Sequence, residues 1–234
     1  MGVNITVLIC CFNGKRFLKR ALESLSNQKV KLRDFEVLFI DDGSTDCSYE
    51  IAKNFEKKLP LRIYKNDINL GLPESCNKGI QLAKGDWIIR LDADDAFSPE
   101  MITSLSQYID YEKTDFIYSN RRDIYLDLKK EVVRDLKDFN IFKITASGVC
   151  LRKKLLLEIG GYRNFFWEEY DLYIRYLEVS GKMPTHIPKT LYYYSIYEGS
   201  MTSNREKVDA GWRELVNECG IKKLRQYGDS DRLK

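Results

Sequence analysis

The sequence predicts an α/β fold in which a mostly parallel, Rossmann-like sheet is flanked by helices and followed by a smaller part. One observation behind this is that short apolar runs alternate with segments whose apolar residues recur at helical spacing. A second is that polar and acidic residues follow these runs, at residues 13–14, 41–46 and 92–95. Ligands bind outside the carboxyl ends of strands in such sheets, so these strand ends predict one shared cleft.

The first half of the chain contains three strand–helix units and a fourth strand. Residues 5–12, 35–40 and 61–64 are the first three predicted strands, and a fourth begins at Trp87 after Gly85 has ended the preceding helix. The regular alternation of strand and helix signals favours a parallel sheet covered by helices. Helical spacing is shown by Leu18, Ala21, Leu22 and Leu25 in the first helix, by Ile51, Ala52 and Phe55 in the second, and by Cys76, Ile80, Leu82 and Ala83 in the third.

The second half is less regular. Residues 121–140 form a charged, poorly patterned excursion that we expect to cover the cleft. A helix beginning near Trp167 carries acidic residues at its positive end, where the helix dipole favours them. In chain order, residues 99–108 predict a helix, 116–119 a strand, and 145–152 a segment leading into an amphipathic helix at 153–159.

Composition narrows the class of protein. The chain has 234 residues, a net charge of +3 and no dense basic block, which argues against a nucleic-acid partner. Its six cysteines include no C-x-x-C pair and are expected to be reduced thiols. We find no signal peptide pattern and no apolar run near the roughly 20 residues that span a bilayer. We therefore expect a cytoplasmic protein, with peripheral contact at the inner face of a membrane left open.

The segment from Trp87 to Asp95 carries the strongest chemical signal. An apolar run delivers Asp92, Asp94 and Asp95 onto the loop after a strand. Neighbouring carboxylates raise the cost of ionising each other unless a cation compensates, so a divalent ion shared with a phosphate ligand is the natural partner. A solvated turn of acids is the alternative interpretation.

Five motifs in order resemble glycosyltransferase family 2, whose members have the GT-A fold, and the match covers about residues 3–202. The motifs are Val7-Leu8-Ile9-Cys10-Cys11-Phe12-Asn13-Gly14, Asp41-Asp42-Gly43-Ser44-Thr45-Asp46, Asn69-Leu70-Gly71 with Ser75-Cys76-Asn77-Lys78-Gly79, Leu91-Asp92-Ala93-Asp94-Asp95, and Glu168-Glu169-Tyr170-Asp171-Leu172. The resemblance implies a glycosyltransferase domain over residues 1–204, with a nucleotide-sugar-binding half at 1–97 and an acceptor-binding half at 98–204.

The resemblance also implies the chemistry. It indicates an inverting transfer from a nucleoside-diphosphate sugar, most simply a UDP-sugar, with Mn²⁺ or Mg²⁺ as cofactor. Asp94 is the first choice for the metal ligand and Asp95 the second, whereas Asp92 is expected to face ribose or sugar hydroxyls. Asp42 is expected to accept a hydrogen bond from the base, and Lys78 could reach a phosphate. The implied donor-binding set is Cys11, Phe12, Asn13, Asp42, Asn69, Asn77, Lys78, Asp92 and Ala93.

An acceptor hydroxyl needs a base to remove its proton. Glu169 stands at the family's base position, where Asp is usual, and Glu168 is the alternative base. Tyr197 stands where relatives often have a His near the metal, so this chain departs from the family there. Asp171 and Arg175, four residues apart, are expected to form an intrahelical ion pair.

The remaining expectations concern partners and rival functions. Residues 205–234 form a helical tail expected to pack on the domain or on a subunit partner; the oligomeric state stays open. The acceptor is expected to be a glycan or a lipid-linked sugar in surface polysaccharide synthesis. A sugar-phosphate nucleotidyltransferase would need a Gly-rich loop after the first strand, and Asn13-Gly14-Lys15 does not supply one. An EF-hand loop starting at Asp92 would need Gly in place of Phe97 and Glu in place of Thr103, so it fails at both positions. A non-catalytic nucleotide-sugar-binding protein remains an alternative.

Overall fold

The computed structural model describes residues 4–31, 34–110 and 113–233, and its strands share one mixed sheet. The strands are β1 (Ile5–Cys11), β2 (Phe35–Asp41), β3 (Leu61–Lys65), β4 (Trp87–Arg90), β5 (Ala96–Phe97), β6 (Phe116–Tyr125), β7 (Lys130–Arg134), β8 (Cys150–Arg152) and β9 (Thr185–Ile196). The helices are α1 (Leu18–Ser26), α2 (Ser48–Lys53), α3 (Leu72–Leu82), α4 (Met101–Tyr108), α5 (Lys153–Glu158), α6 (Glu168–Ser180), α7 (Arg205–Cys219) and α8 (Ile221–Tyr227).

The sheet has the order β3-β2-β1-β4-β8-β6-β9-β5, and β7 pairs with β6 outside this path. The strands β3, β2, β1 and β4 run parallel, whereas β8 is antiparallel to both of its neighbours. Strands β1, β2 and β4 are buried along their whole length, as expected for central parallel strands covered by helices on both faces. The predicted fold class is confirmed.

Alternation along the strands divides the core into two layers. In β1, Leu8 and Cys10 face one apolar cluster, and Val7 and Ile9 face the other. The first cluster also contains Trp212 and other buried residues of α7 and α8. The described part of the tail, residues 205–233, therefore packs onto the domain as part of the same core.

The interpretation of residues 121–140 as an unpatterned excursion is wrong. Residues up to Tyr125 continue β6 beside β9, and β7 then returns antiparallel to β6. Charged residues obscured the strand pattern in the sequence. In the structure the buried Asp123 accepts hydrogen bonds from Arg121 and Arg134, so these charges compensate one another. The prediction failed because pairing within the hairpin lets charged side chains occupy strand positions.

Candidate active site

The loops that follow β1 and β2 are tied together by Asn13. Its backbone N–H donates to Ser44 Oγ at 3.0 Å, and its Oδ1 accepts from the backbone N–H groups of Thr45 and Asp46 at 2.9 and 3.3 Å. Asn13 has a φ of 53°, a left-handed conformation that asparagine tolerates better than most residues. The two strand ends therefore meet, as the sequence predicted.

A first cavity of about 470 Å³ opens at these strand ends. The acidic loop after β4 forms one wall, the loop after β1 another, and the segment following β9 a third. Its lining residues are Cys10, Cys11, Phe12, Asn13, Gly14, Arg16, Phe17, Leu72, Arg90, Asp92, Ala93, Asp94, Tyr197, Gly199, Ser200 and Met201.

Asp94 faces this cavity with its carboxylate beside Tyr197. The Tyr197 hydroxyl donates to Asp94 Oδ2 at 2.9 Å. Burial, followed by the charge of Asp92, raises the pKa of Asp94 above its ordinary value. Because ionisation of Asp94 is costly in this environment, a bound cation would stabilise its ionised form.

Asp95 is turned away from the cavity and towards β9. Its carboxylate accepts hydrogen bonds from the Tyr192 hydroxyl and from the backbone N–H of Ser195, the latter at 2.7 Å. Burial is the largest cause of its strongly raised pKa, followed by the charges of Asp94 and Asp92. Asp95 therefore connects the acidic loop to β9. Asp94 is the better candidate for the predicted metal ligand.

A second cavity of about 250 Å³ adjoins the first. Arg90, Asp92 and Met201 line both, so the two cavities meet at these side chains. The other residues lining the second cavity are Arg121, Phe142, Ile144, Thr145, Ala146, Trp167, Glu168, Glu169, Tyr170, Tyr194 and Thr202.

Glu168 and Glu169 begin α6 at the second cavity and differ in their partners. Glu168 Oε1 accepts a hydrogen bond from Arg90 Nη1 at 3.0 Å. Within residues 4–31, 34–110 and 113–233, no side chain donates a hydrogen bond to the carboxylate of Glu169. Burial, followed by the charge of Glu168, raises the pKa of Glu169 well above its ordinary value. Glu169 is thus a buried carboxylate with a raised proton affinity, as is found for carboxylates that serve as general acids or bases.

The family model for glycosyl transferase family 2 matches residues 6–171. The chain belongs to this family. The match covers the ends of β1 and β4 and ends within the first turn of α6, at Asp171. The cavity residues on and after β9 lie outside the matched range.

Curated relatives support the assignment. An uncharacterized glycosyltransferase of Haemophilus influenzae is 27% identical, and the alignment covers 97% of this chain and 80% of the relative. The Escherichia coli protein named UDP-Glc:alpha-D-GlcNAc-diphosphoundecaprenol beta-1,3-glucosyltransferase WfaP is 26% identical, with 93% and 87% covered. Other family members are longer, and the chain spans only 38% and 32% of two of them.

The fold also matches solved structures. Residues 1–349 of Staphylococcus aureus TarS in complex with UDP-GlcNAc superpose with a TM-score of 0.79 at 19% identity, covering 96% of this chain and 71% of that one. This likeness confirms the GT-A fold expected for a family 2 glycosyltransferase. No helix in the described part of the chain is long and apolar enough to cross a membrane.

Asp42, which follows β2, does not line the first cavity. Its carboxylate accepts hydrogen bonds from the backbone N–H groups of Leu70 and Gly71, at 2.9 and 3.0 Å, and from Asn66 Nδ2 at 2.8 Å. Lys78 Nζ in turn donates to Asn66 Oδ1 at 2.6 Å. In this arrangement Asp42 shapes the loop after β3, and Lys78 is directed towards Asn66.

Two other members of the predicted donor-binding set lie outside the lining of the first cavity. Both amide atoms of Asn77 bond to the backbone of Tyr162, at 2.8 and 2.9 Å, which joins α3 to the turn before α6. We therefore no longer assign donor contact to Asn77. Asn69 is exposed on the loop that Asp42 holds. Cys11, Phe12, Asn13, Asp92 and Ala93 do line the cavity. Their contact with a donor stays a prediction.

Sequence reasoning missed three arginines. Arg16 lines the first cavity, with its guanidinium 4.6 Å from the centre of the Phe17 ring. Arg20 donates to the backbone carbonyl of Asp94 and to Ser195 Oγ. Arg90 contacts acids in both cavities. The available signal was the position of Arg90, a charged residue at the end of an otherwise apolar strand.

The carboxylate oxygens at the site suit a metal ion that the protein and the phosphates of a substrate would coordinate together. Within the described ranges, no group of three or more His, Cys, Asp or Glu side chains is arranged to hold a metal ion. Mg²⁺ sites in phosphate-transferring enzymes often use one or two carboxylates plus the phosphates. The residues present fit this kind of site, and Asp94 is the residue that would supply the carboxylate.

Proposed function

We propose that the chain is an inverting, metal-dependent glycosyltransferase that moves a sugar from a UDP-sugar to an acceptor hydroxyl. The observation that carries this proposal is the meeting of two cavities at Arg90 and Asp92, with Asp94 in the first and Glu169 in the second. A single displacement needs a leaving-group site and a base on opposite sides of the reacting carbon. Two adjoining cavities with these carboxylates supply both.

The first cavity binds the donor. Exposed Phe12 and the loop of Asn13 offer a surface for the nucleoside, and Arg16 offers a positive charge for the diphosphate. A Mn²⁺ or Mg²⁺ held by Asp94 would stabilise the negative charge that develops on the diphosphate. Tyr197 orients the Asp94 carboxylate through its hydroxyl.

The second cavity binds the acceptor. Glu169 takes the proton of the acceptor hydroxyl while the oxygen forms a bond to the anomeric carbon. The bond between that carbon and the phosphate oxygen breaks, and the nucleoside diphosphate leaves with the electron pair. Attack from the face opposite the leaving group inverts the anomeric configuration. Trp167 and Tyr170, stacked 5.4 Å apart, give the cavity an aromatic wall suited to the apolar face of a sugar.

The acceptor we favour is a lipid-linked sugar used in surface polysaccharide synthesis. The support is the name of WfaP, a relative over 93% of this chain, which describes transfer from UDP-Glc to a sugar on diphosphoundecaprenol. The TarS complex with UDP-GlcNAc supports a uridine donor. The choice of sugar depends on side chains in the second half of the domain.

Isothermal titration calorimetry tests the donor site. UDP, GDP, UDP-glucose, UDP-galactose and UDP-N-acetylglucosamine are titrated with and without MnCl₂ into wild type, Asp94→Asn and Asp209→Asn. Asp209 on α7 lines neither cavity and serves as the matched control. We expect Mn²⁺-dependent binding of UDP that Asp94→Asn abolishes and Asp209→Asn leaves unchanged. Binding that is independent of both Mn²⁺ and Asp94 would contradict the proposal.

A further inference from the structure

Arg90, the last residue of β4, contacts carboxylates in both cavities. Its Nε and Nη2 donate to the two carboxylate oxygens of Asp92, at 2.8 and 3.2 Å. Its Nη1 donates to Glu168 Oε1 at 3.0 Å. One rigid, planar group therefore fixes an acid of the donor cavity relative to the first turn of α6.

The contacts of Arg90 are strong because the side chain is almost fully enclosed, with 5% of its surface exposed. Charge-assisted, two-pronged contacts between arginine and carboxylate define geometry as well as energy. The ring of Tyr162 lies 5.7 Å from the guanidinium carbon, and Ser147 Oγ lies 3.4 Å from Nε. Lysine could not reproduce this arrangement, because its ammonium group is a single point of charge.

Several charged and titratable groups surround the carboxylate of Glu169. Glu168 precedes it on α6, Arg90 and Asp92 face it from the end of β4, Arg121 lies across the cavity on β6, and Tyr194 lies on β9. Tyr170 and Tyr173 follow on α6 itself. Burial is the largest cause of the raised pKa of Glu169; the charge of Glu168 raises that pKa further and the charge of Arg90 lowers it.

We propose that Arg90 is a positioning residue that holds Asp92 in the donor cavity and Glu168 in the acceptor cavity, and thereby leaves Glu169 as the free proton acceptor. The inference rests on the proposed transferase function for its role in the reaction. The geometry itself explains why two adjacent glutamates at the start of α6 differ. Glu168 has an arginine partner, and in the described part of the chain no arginine donates a hydrogen bond to Glu169.

The test measures the titration of Glu169 directly. Carbon-13 NMR of protein labelled at glutamate carboxyl carbons, with the Glu169 signal assigned by its loss in Glu169→Gln, gives the titration midpoint. Glu168→Gln removes a like charge, so we expect the midpoint to move to lower pH. Arg90→Met removes an opposite charge, so the midpoint should move to higher pH. The double variant Arg90→Met/Glu168→Gln should lie between the two single variants.

Activity provides the second readout. Arg90→Lys keeps the charge but cannot hold both carboxylates, so we expect a midpoint close to that of wild type and a kcat for donor turnover lower by about tenfold to a hundredfold. A pH profile of kcat/KM should shift in Glu168→Gln in the same direction as the NMR midpoint. Thermal unfolding of each variant separates these effects from loss of structure.

The proposal is overturned if Glu168→Gln leaves the Glu169 midpoint unchanged, or if Arg90→Lys turns over donor at the wild-type rate. If Arg90→Met fails to fold, Glu168→Gln and the double variant decide the question. In Glu168→Gln, Arg90 keeps Asp92 as a partner, and in the double variant both charges of the Arg90–Glu168 pair are gone. Wild type that titrates as expected but turns over no donor would overturn the proposed function and leave the electrostatic arrangement intact.

Discussion

The hydroxyl of Tyr197 donates a hydrogen bond to Asp94 Oδ2 at 2.9 Å, joining the segment after β9 to the acidic loop after β4. The Tyr197 ring packs 4.7 Å from the ring of Phe17. Burial and the charge of Asp94 raise the pKa of Tyr197, so the hydroxyl keeps its proton and remains a donor at neutral pH. Tyr197 therefore presents a neutral hydroxyl group that orients Asp94.

Tyr197→Phe tests this role. The change removes one hydrogen bond to a charged, largely buried carboxylate, which is worth about 1.5–3 kcal/mol. We expect Mn²⁺-dependent UDP binding to weaken by about tenfold or more, measured by calorimetry. Phe17→Leu, which removes the ring contact and keeps the hydroxyl, is the control. Equal weakening in both variants would indicate that ring packing matters and the hydroxyl does not.

Asp94 and Asp95 should respond differently to truncation. Asp95→Ala leaves Tyr192 and the Ser195 N–H without their buried acceptor, so the free energy of unfolding should fall by about 2–4 kcal/mol. Asp94→Ala should change stability much less and should abolish Mn²⁺-dependent UDP binding. Urea denaturation and calorimetry measure the two effects. If Asp95→Ala keeps the stability of wild type but loses Mn²⁺-dependent UDP binding, Asp95 rather than Asp94 is the metal ligand.

Glu169→Gln should stabilise the protein in a pH-dependent way. The pKa of Glu169 is raised in the folded state, so the folded protein binds more protons than the unfolded chain at pH values between the unfolded and folded pKa. The stability that protonated Glu169 contributes is therefore fully present below the unfolded pKa, and it is lost as the pH rises through the folded pKa. Glutamine cannot ionise, so thermal unfolding should show Tm of the variant exceeding that of wild type at pH 8, with a smaller difference at pH 5. A difference that grows at low pH would contradict the assigned direction.

Asn77→Ala should affect stability and leave donor binding unchanged. The variant loses two hydrogen bonds to the backbone of Tyr162, which we expect to cost about 1–3 kcal/mol of the free energy of unfolding. Because Asn77 does not line the first cavity, the Kd for UDP with Mn²⁺ should match that of wild type. Direct donor contact by Asn77 would appear as weaker UDP binding without loss of stability.

The parallel half of the fold could be predicted because its signals are local. The apolar run of β1 and the helical spacing in α1 appear directly in the sequence, and both elements lie where expected. The Asp171–Arg175 ion pair, 2.7 Å between Oδ2 and Nη2, also follows from spacing alone. In contrast, the hairpin of β6 and β7 depends on Asp123 meeting two arginines, one of them on the neighbouring strand.

The candidate site was predicted only in part, for a similar reason. The motifs singled out Asp94 and Glu169, which line the two adjoining cavities. The sequence could not show that Asp95 turns towards β9, since that depends on pairing between β5 and β9 about a hundred residues apart. The role of Arg90 depends on contact with Glu168, which follows four further strands. Spacing carries no information about contacts of this range.

The most direct test of the account is release of UDP from the donor selected by calorimetry, with Mn²⁺ and a lipid-bearing N-acetylglucosaminyl diphosphate as acceptor, in wild type, Glu168→Gln and Glu169→Gln. We predict that wild type releases UDP, and that Glu169→Gln binds UDP normally but is slower by about 10²–10⁴-fold. Glu168→Gln should retain much more activity than Glu169→Gln. A Glu169→Gln protein as fast as wild type, or a wild type that binds the donor with Mn²⁺ and never releases UDP, would contradict the account.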